Sequence, residues 1–310
     1  MRSSKGISFG FIRVGRIMIS RTTIFIVALA LSVVGAASFY NMSKQLNQGG
    51  TSSQEGLGQI LVQPSDVKNY DVILDVSPNA TQYIPGAINF NYVEFFDQDK
   101  RLKSESELAK ILGDVGISRN DSVVVYGECL PCGGGPSAAT YVYWIMKYLG
   151  QEKIGLLNGE IGDWAAAKLP TENKPATRPK SDYKPKLRPE LLATYDFVKN
   201  NHAQIVDART PQDRSVGSIP GSINITYDLV LEKDKLKDRN ALGLLFSGLN
   251  KDRPVVVYTA TGVKASMVCF ALELMGYKAS LYTWNDWLTH KSYENISANR
   301  NPNVYDNASR

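Results

Sequence analysis

The sequence predicts an α/β fold built from two related domains that follow an N-terminal apolar segment. Three observations predict it: a long internal repeat, short apolar β-rich runs that alternate with helical stretches, and one uncharged run near the start. Strands that alternate with helices favour a parallel sheet with helices on its faces. With 310 residues, the chain has the length of about two ordinary domains.

The composition excludes several classes of protein. The apolar fraction is 43% and the charged fraction 21%, values typical of globular domains. The net charge is only +5, and the basic surplus lies near the N-terminus and in one linker, so no nucleic-acid partner is predicted. Three cysteines are too few for a disulfide framework. Together with two histidines they also supply few ligands for zinc, so no metal or other cofactor is predicted.

The start of the chain predicts a membrane anchor. Residues 1–21 form a basic, cytoplasmic N-terminus, and residues 22–40 form an uncharged run of nearly the length that crosses a bilayer as a helix. The basic flank places the bulk of the chain outside the cytoplasm. Small residues at 35–38 also suit a cleaved signal peptide, so secretion is the alternative. Residues 41–58 are polar and predict a flexible tether.

An internal repeat organises the rest of the chain. The run VILDVSPNATQYIPGAINFNY at residues 72–92 returns as QIVDARTPQDRSVGSIPGSINITY at residues 204–227. A VVVY run and a later Asp-Trp pair occur in both copies. The repeat predicts one domain at residues 59–169 and a second at residues 190–292. Between them, residues 170–189 form a linker whose prolines forbid a long helix. Residues 293–310 form a polar tail.

The elements follow the same order in both copies. Strands of the first copy are predicted at Val72–Asp75, Val123–Tyr126 and Ile154–Leu157. A helix is predicted to begin near Ser104, where Ser104 and Glu107 could form a capping box. A nearly wholly apolar helix follows at residues 137–149. A helix at residues 263–275 and a strand at residues 280–282 repeat this order in the second copy.

These motifs resemble the tandem rhodanese-like sulfurtransferases of the thiosulfate and 3-mercaptopyruvate type. The resemblance rests on the Ile-Pro-Gly turn, the VVVY strand with the loop after it, and the Asp-Trp pair, and it covers roughly residues 61–289. It implies two rhodanese-like domains, each a central parallel sheet flanked by helices. It also implies a cysteine after the VVVY strand that takes sulfane sulfur from a small donor anion, becomes a persulfide, and passes the sulfur to a thiol acceptor.

In the first copy, the nucleophile position implied by the resemblance falls on Cys132. Gly133, Gly134 and Gly135 follow it, and Ser137 opens the apolar helix. A helix N-terminus favours a thiolate, and successive backbone amides make a concavity that binds anions. We therefore predict that Cys132 carries the sulfur, with the three glycines and Ser137 as its cradle.

The second copy differs at the reacting atom. Thr259 stands at the nucleophile position and is followed by Gly262 and Lys264. Because a threonine hydroxyl cannot form a persulfide, this second site is predicted to be degenerate. Lys264 and the loop amides could still hold an anion, although a plain solvated lysine is the simpler interpretation.

Cys129 adds alternatives, because Cys129 and Cys132 form a C-x-x-C pair. This spacing allows a disulfide and is typical of dithiol redox sites. In one interpretation Cys129 resolves the Cys132 persulfide or protects it as a disulfide. In a second, the pair is a dithiol/disulfide redox site. In a third, the disulfide is a structural clip in a non-catalytic binding module.

Four further side chains have structural predictions. Asp75 and Asp207 end the first long strand of their copies, and Arg209 is predicted to form a structural ion pair. The third cysteine, Cys269, lies in an apolar helical run and is predicted to be a small core residue.

Overall fold

Two parallel sheets form the framework of the protein. The computed structural model describes residues 60–129, 134–200 and 202–299, which fall in one structural unit. The first half contains the strands β1 (Leu61–Val62), β2 (Val72–Asp75), β3 (Ile88–Asn89), β4 (Val123–Tyr126) and β5 (Ile154–Leu157). They pair in parallel in the order β1-β5-β4-β2-β3.

The second half repeats this sheet with fewer strands. Its strands are β6 (Gln204–Asp207), β7 (Ile223–Asn224), β8 (Leu231–Glu232), β9 (Lys235–Leu236), β10 (Val255–Thr259) and β11 (Ala279–Thr283). Four of them pair in parallel in the order β11-β10-β6-β7. The other two, β8 and β9, form an antiparallel hairpin.

Helices connect most of the strands, as is usual between parallel strands. In chain order they are α1 (Glu105–Asp114), α2 (Ser137–Tyr148), α3 (Ile161–Ala166), α4 (Tyr195–Lys199), α5 (Pro211–Ser215), α6 (Arg239–Leu245), α7 (Val263–Leu274) and α8 (Trp284–Asn299). Short 3-10 helices add further turns, among them Tyr92–Phe95 and Tyr227–Val230.

The predicted elements are confirmed. The three strands of the first half have the predicted bounds, and α2 and α7 begin at the predicted residues. The capping box of α1 is present, with the Ser104 amide donating to Glu107 Oε2 over 3.0 Å. Every residue of β4 and β10 is buried, as expected for strands covered by helices on both faces.

The two apolar helices join the halves. The hydroxyl oxygens of Thr140 on α2 and Ser266 on α7 lie 2.8 Å apart in the buried contact. The Tyr143 and Phe270 rings meet edge to face with their centroids 4.8 Å apart. One core cluster therefore contains residues of both halves. The shared core holds the cysteine loop of the first half and the equivalent loop of the second half in one packed unit.

The linker between the halves is extended, as its prolines predict, and it is bound to the first half. The amide of Ala176 donates to the carbonyl of Ala87, and the amide of Ser181 donates to the carbonyl of Gly113. Arg178 donates from Nε to the carbonyl of Gly116 over 3.0 Å. Backbone and side-chain hydrogen bonds thus hold the linker against the first half.

No helix in the part of the chain that the structure describes is both long and apolar enough to cross a bilayer. The predicted basic N-terminus, anchor and tether lie outside the described residues. Helix α8 continues through residues 293–299, into the segment that the sequence assigned to a polar tail.

Candidate active site

The cysteine loop of the first half leaves the sheet at β4 and leads into α2. Cys132 and Gly133, the predicted sulfur carrier and the first residue of its cradle, lie outside the described residues. Cys129 is described: it is 2% exposed and disulfide-bonded. The hydroxyl of Tyr92, from the 3-10 helix after β3, lies 3.4 Å from Cys129 Sγ.

The end of this loop has the backbone conformation that its glycines permit. Gly134 and Gly135 have φ angles of 77° and 65°, which residues with a Cβ atom rarely adopt. The Gly134 amide donates to the Cys129 carbonyl over 3.1 Å and closes the loop. A Cβ on Gly135 would lie 2.9 Å from a methyl carbon of Leu231, so the β8–β9 hairpin of the second half packs against it.

Ser137, the other predicted cradle residue, is the first residue of α2. Its side chain is fully buried, and its hydroxyl has no hydrogen-bond partner among the residues that the structure describes. A buried hydroxyl without a partner is costly and usually signals a missing ligand or water. Pro136 lies just before the helix, and the amide of Thr140 makes the first helical hydrogen bond to its carbonyl over 2.8 Å.

Buried acids hold the base of the cysteine loop. The amide of Gly127, which follows β4, donates to Glu160 Oε2 over 3.1 Å. Burial raises the pKa of Glu160 to about 8, and repulsion from Glu128 adds to the shift. Asp75 is fully buried, and its Oδ2 has no hydrogen-bond partner among the described residues. Burial thus raises the pKa of both Asp75 and Glu160 at this end of the first half.

A cavity of about 930 Å³ opens beside these acids and the β8–β9 hairpin. Glu128 and Glu160 line one side of it, and Lys233 and Lys235 of the hairpin line the other. The ammonium of Lys235 also forms an ion pair with Asp163 over 2.7 Å. Both acidic and basic side chains therefore surround the cysteine loop, and they come from both halves of the molecule.

The equivalent loop of the second half is fully described and carries no thiol. Thr259 is buried, and its hydroxyl accepts from the Gly262 amide over 3.2 Å. Gly262 has a φ of 92°, and so repeats the left-handed backbone of its counterpart Gly135. Lys264 differs from the simple solvated lysine predicted, because it is half-buried and its Nζ donates to the Tyr227 hydroxyl over 3.1 Å.

Behind this second loop, Asp207 forms the structural ion pair predicted for Arg209. Arg209 donates to Asp207 through Nε over 2.9 Å and Nη2 over 2.8 Å. Arg214 and Tyr258 also donate to Asp207 Oδ2. The first half has Ser77 where the second has Arg209, so Asp75 has no such partner. The same strand end is therefore ion-paired in one half only.

The remaining cysteine has the predicted place in the core. Cys269 is a buried free thiol on α7, and burial raises its pKa far above the ordinary value. It is therefore inert as a nucleophile near neutral pH. Within residues 60–129, 134–200 and 202–299, no group of three or more His, Cys, Asp or Glu side chains is arranged to hold a metal ion.

Two residues of the site were missed by sequence reasoning. Tyr92 contacts Cys129, which lies 37 residues later in the chain. The sequence signal for Tyr92 was that the second copy of the repeat has a tyrosine, Tyr227, at the same position. Glu160 precedes α3 at the N-cap position, where glutamate is not a favoured residue. That unusual choice was the only sequence signal for its role at the loop.

Comparison with known protein families decides the assignment. The model of the rhodanese-like domain matches residues 59–167 and again residues 193–288. This chain belongs to the rhodanese-like domain family. The two matches cover both copies of the repeat, so the predicted fold of two rhodanese-like halves with parallel sheets and flanking helices is confirmed.

Relatives of this rhodanese-like chain have names that agree on its chemistry. A Haloferax volcanii protein with the provisional name thiosulfate sulfurtransferase is 29% identical and covers 70% of this chain and 84% of its own. The 3-mercaptopyruvate sulfurtransferase of Escherichia coli K12 is 25% identical over 66% of this chain and 80% of its own. The sulfur carrier protein TtuD of Thermus thermophilus is 28% identical over 71% and 87%.

A solved structure has the same fold. The crystal structure of the E. coli 3-mercaptopyruvate sulfotransferase SseA superposes with a TM-score of 0.64 at 22% identity, and covers 73% of this chain and 99% of its own. With the named relatives, the family match identifies this rhodanese-like chain as a sulfurtransferase of the thiosulfate and 3-mercaptopyruvate type. The predictions of a transferase enzyme and of sulfur transfer are confirmed. None of these relatives is named as a dithiol oxidoreductase.

Proposed function

We propose that this sulfurtransferase carries sulfane sulfur on Cys132 of its first half, between a small donor anion such as thiosulfate and a thiol acceptor. The observation that carries the proposal is the buried hydroxyl of Ser137 at the start of the helix after the cysteine loop, which has no hydrogen-bond partner among residues 60–129, 134–200 and 202–299. A persulfide or thiolate at that helix N-terminus would accept its hydrogen bond. Gly134 and Gly135 have the turned backbone that such a loop needs.

The reaction divides into two displacements at sulfur. In the first, the Cys132 thiolate attacks the sulfane sulfur of thiosulfate, the sulfur–sulfur bond of the donor breaks, and sulfite leaves with the electron pair. In the second, the thiolate of the acceptor attacks the outer sulfur of the persulfide, and the Cys132 thiolate leaves. Each step exchanges one bond to sulfur for another, so no external oxidant or reductant is consumed.

Cys129 adds a redox step before this cycle. We propose that Cys129 pairs with Cys132 in the disulfide that the structure holds at Cys129, and that this form is the protected resting enzyme. A thiol reductant must supply two electrons to release both thiols before a donor can react. Cys129 can also resolve a stranded persulfide: its thiolate attacks the inner sulfur, reforms the disulfide and expels hydrosulfide.

The second half is proposed to take no part in the covalent steps. Thr259 replaces the thiol in that loop, and its hydroxyl is already engaged by the Gly262 amide. Activity in this chain is therefore assigned to the first half alone, with the second half contributing the β8–β9 hairpin that packs against the cysteine loop.

We further propose that residues 22–40 anchor the enzyme in a membrane with both halves outside the cytoplasm, or are cleaved to release a secreted form. The uncharged run with its basic flank supports the proposal. Alkaline extraction of membranes and N-terminal sequencing of the mature chain test it. An anchored enzyme stays with the membrane and keeps residues 1–40, a secreted one is soluble and begins after them, and recovery of the intact chain from cytosol contradicts both.

Sulfite release from thiosulfate tests the assignment of the cysteines. The protein as isolated should be inactive, and preincubation with dithiothreitol should activate it. The Cys129→Ser variant should be active without preincubation, because Cys132 can no longer be locked in the disulfide. Thr259→Ala is the matched control in the second half, and it should behave as the parent protein does. Full activity of a folded Cys132→Ser variant would overturn the proposal.

A further inference from the structure

A cavity of about 640 Å³ lies at the junction of the two halves. Its walls come from α2, α7 and β11, with Trp144, Phe270 and Ala279 among the residues that line it. The chain that enters the second half, at residues 188–194, forms a further wall. The cavity shares no lining residue with the cavity beside the cysteine loop, and the proposed sulfur transfer gives it no role.

Hydrogen bonds within the protein hold the aromatic walls of this junction cavity in place. Trp144 donates from Nε1 to the carbonyl of Leu191 over 3.2 Å. The hydroxyl of Tyr277, which also lines the cavity, donates to the carbonyl of Phe246 over 3.0 Å. The polar edges of both rings are therefore satisfied without a ligand. A cavity with such fixed walls binds a ligand without paying for the ordering of its side chains.

The rest of the lining leaves apolar surface in contact with water. Leu191, Leu192, Ala193, Phe197 and Ala279 line the cavity, and each of them is only partly buried. An apolar ligand would cover this surface and gain from its removal from water. A concave, mostly apolar site at the junction of two packed units is typical of sites that bind small organic molecules.

The charged residues of the lining leave one cation over. They are Lys147, Arg188, Glu190, Glu273 and Lys278. Lys147 forms an ion pair with Glu273, and Arg188 donates from Nε to Glu190 over 2.9 Å. Lys278 is exposed at the cavity, and no carboxylate in the described part of the chain forms an ion pair with it. Its ammonium is therefore available to an anionic group of a ligand.

We propose that this junction cavity binds an apolar monocarboxylate, with its hydrocarbon body against the partly buried side chains and its carboxylate at Lys278. The ligand is held and not converted, because no thiol or other reacting group is needed for its binding. The site goes beyond the proposed function and stands whether or not Cys132 carries sulfur.

Calorimetric titration of the full-length protein tests the site with four probes. Octanoate and hexanoate have the carboxylate and chains of different length, acetate has little more than the carboxylate, and octan-1-ol has the chain without the charge. Octanoate should bind at one site per chain and about tenfold more tightly than hexanoate, because two more methylene groups are buried. Acetate should show no saturable binding, and octan-1-ol should bind more weakly than octanoate.

Two substitutions separate the carboxylate from the chain. Lys278→Gln should weaken octanoate binding about threefold, as expected for the loss of one exposed ion pair, and should leave octan-1-ol binding unchanged. Ala279→Phe places a larger side chain in the cavity and should weaken both ligands about tenfold or more. Urea unfolding shows whether Ala279→Phe is folded, and Lys278→Gln tests the site independently because it changes only an exposed side chain.

Lys174→Gln is the matched control. Lys174 is also an exposed lysine, but it belongs to the linker over the first half and does not line this cavity. Its substitution should leave octanoate binding unchanged. Absence of saturable octanoate binding, equal affinity for hexanoate and octanoate, or equal octanoate binding by Lys278→Gln and the parent protein would each overturn the proposal. Octanoate binding by a protein that takes up no sulfur at Cys132 would overturn only the proposed function.

Discussion

Asp75 and Asp207 end equivalent strands of the two halves, and their carboxyl groups meet opposite surroundings. Burial raises the pKa of Asp75, and the hydrogen bond from the Ser77 amide offsets only part of this shift. Burial acts on Asp207 as well, yet hydrogen bonds from Arg209 and Tyr258 outweigh it and hold the pKa of that carboxyl below its ordinary value. The aspartate is therefore present in both halves, but its pKa is raised in the first half and lowered in the second.

Substitution of each aspartate by asparagine should separate these roles. Asp207→Asn removes the charge that two arginines share, and it should lower the free energy of unfolding by about 3–5 kcal/mol, the cost of breaking one side of a buried ion pair. Asp75→Asn keeps the acceptor for the Ser77 amide, and the change should stay below about 1 kcal/mol. Urea unfolding at neutral pH measures both variants, and equal losses would contradict the contrast between the halves.

Glu160 should make the protein less stable as the pH rises. Burial raises its pKa from an ordinary 4.5 to about 8, so the folded state holds a proton that the unfolded state has lost between these values. This contribution is complete below pH 4.5 and disappears as the pH passes through about 8, with a slope of at most about 1.4 kcal/mol per pH unit.

The Glu160→Gln variant tests that slope, because it stays neutral at every pH and can still accept from the Gly127 amide. Its free energy of unfolding should change less between pH 5 and pH 8, a range set by the raised pKa of Glu160, than that of the parent protein. Glu128→Gln, at the neighbouring acid, is the comparison and should retain most of the slope. If the free energy of unfolding changed with pH in the same way for Glu160→Gln and the parent protein, a titrating group at this position would be excluded.

The Tyr92 hydroxyl should govern how fast Cys129 reacts. In the reduced protein it can donate to the Cys129 thiolate from 3.4 Å, and a hydrogen bond to the charged form favours that form. Tyr92→Phe should slow the alkylation of Cys129 by iodoacetamide about fivefold, the equivalent of about 1 kcal/mol. Tyr227→Phe, at the equivalent tyrosine of the other half, should leave that rate unchanged. Faster alkylation in Tyr92→Phe would contradict the assigned contact.

Ser137 should affect sulfur transfer and stability in opposite directions. Ser137→Ala removes a buried hydroxyl that no described group satisfies, so the free energy of unfolding should stay the same or rise by up to about 1 kcal/mol. Loss of the hydrogen bond to the persulfide should lower the rate of sulfur transfer about tenfold. Urea unfolding and sulfite release measure the two effects. A variant that is less stable but fully active would show that the hydroxyl has a structural role alone.

Much of the fold could be predicted from the sequence because its main elements carry local signals. The apolar run at Val123–Tyr126, the capping box at Ser104 and the apolar stretch that begins at Ser137 each mark their own element. The two-residue strands, such as Ile88–Asn89 and Leu231–Glu232, were not predicted. Strands that short have no measurable alternation, and pairing with a distant partner alone defines them.

The candidate site was predictable only where the repeat marked it. The placement of Thr259 at the nucleophile position follows from the resemblance to the family, and the alignment of the two copies pairs Gly262 with Gly135, both of which have a left-handed backbone in the structure. The contact of Tyr92 with Cys129 and the reach of Glu160 to Gly127 join residues far apart in the chain. Neither leaves a spacing pattern, because tertiary packing alone brings these groups together.

Intact-mass analysis of the reduced protein after exposure to thiosulfate tests the central claim most directly. The Cys129→Ser variant, which cannot resolve the persulfide, should gain the mass of one sulfur atom with or without the further control change Cys269→Ser, and peptide mapping should place it on Cys132. The Cys132→Ser variant should gain none. A folded, reduced Cys129→Ser protein that takes up no sulfur, or a parent protein that carries it on Cys129 when Cys132 is intact, would contradict the account.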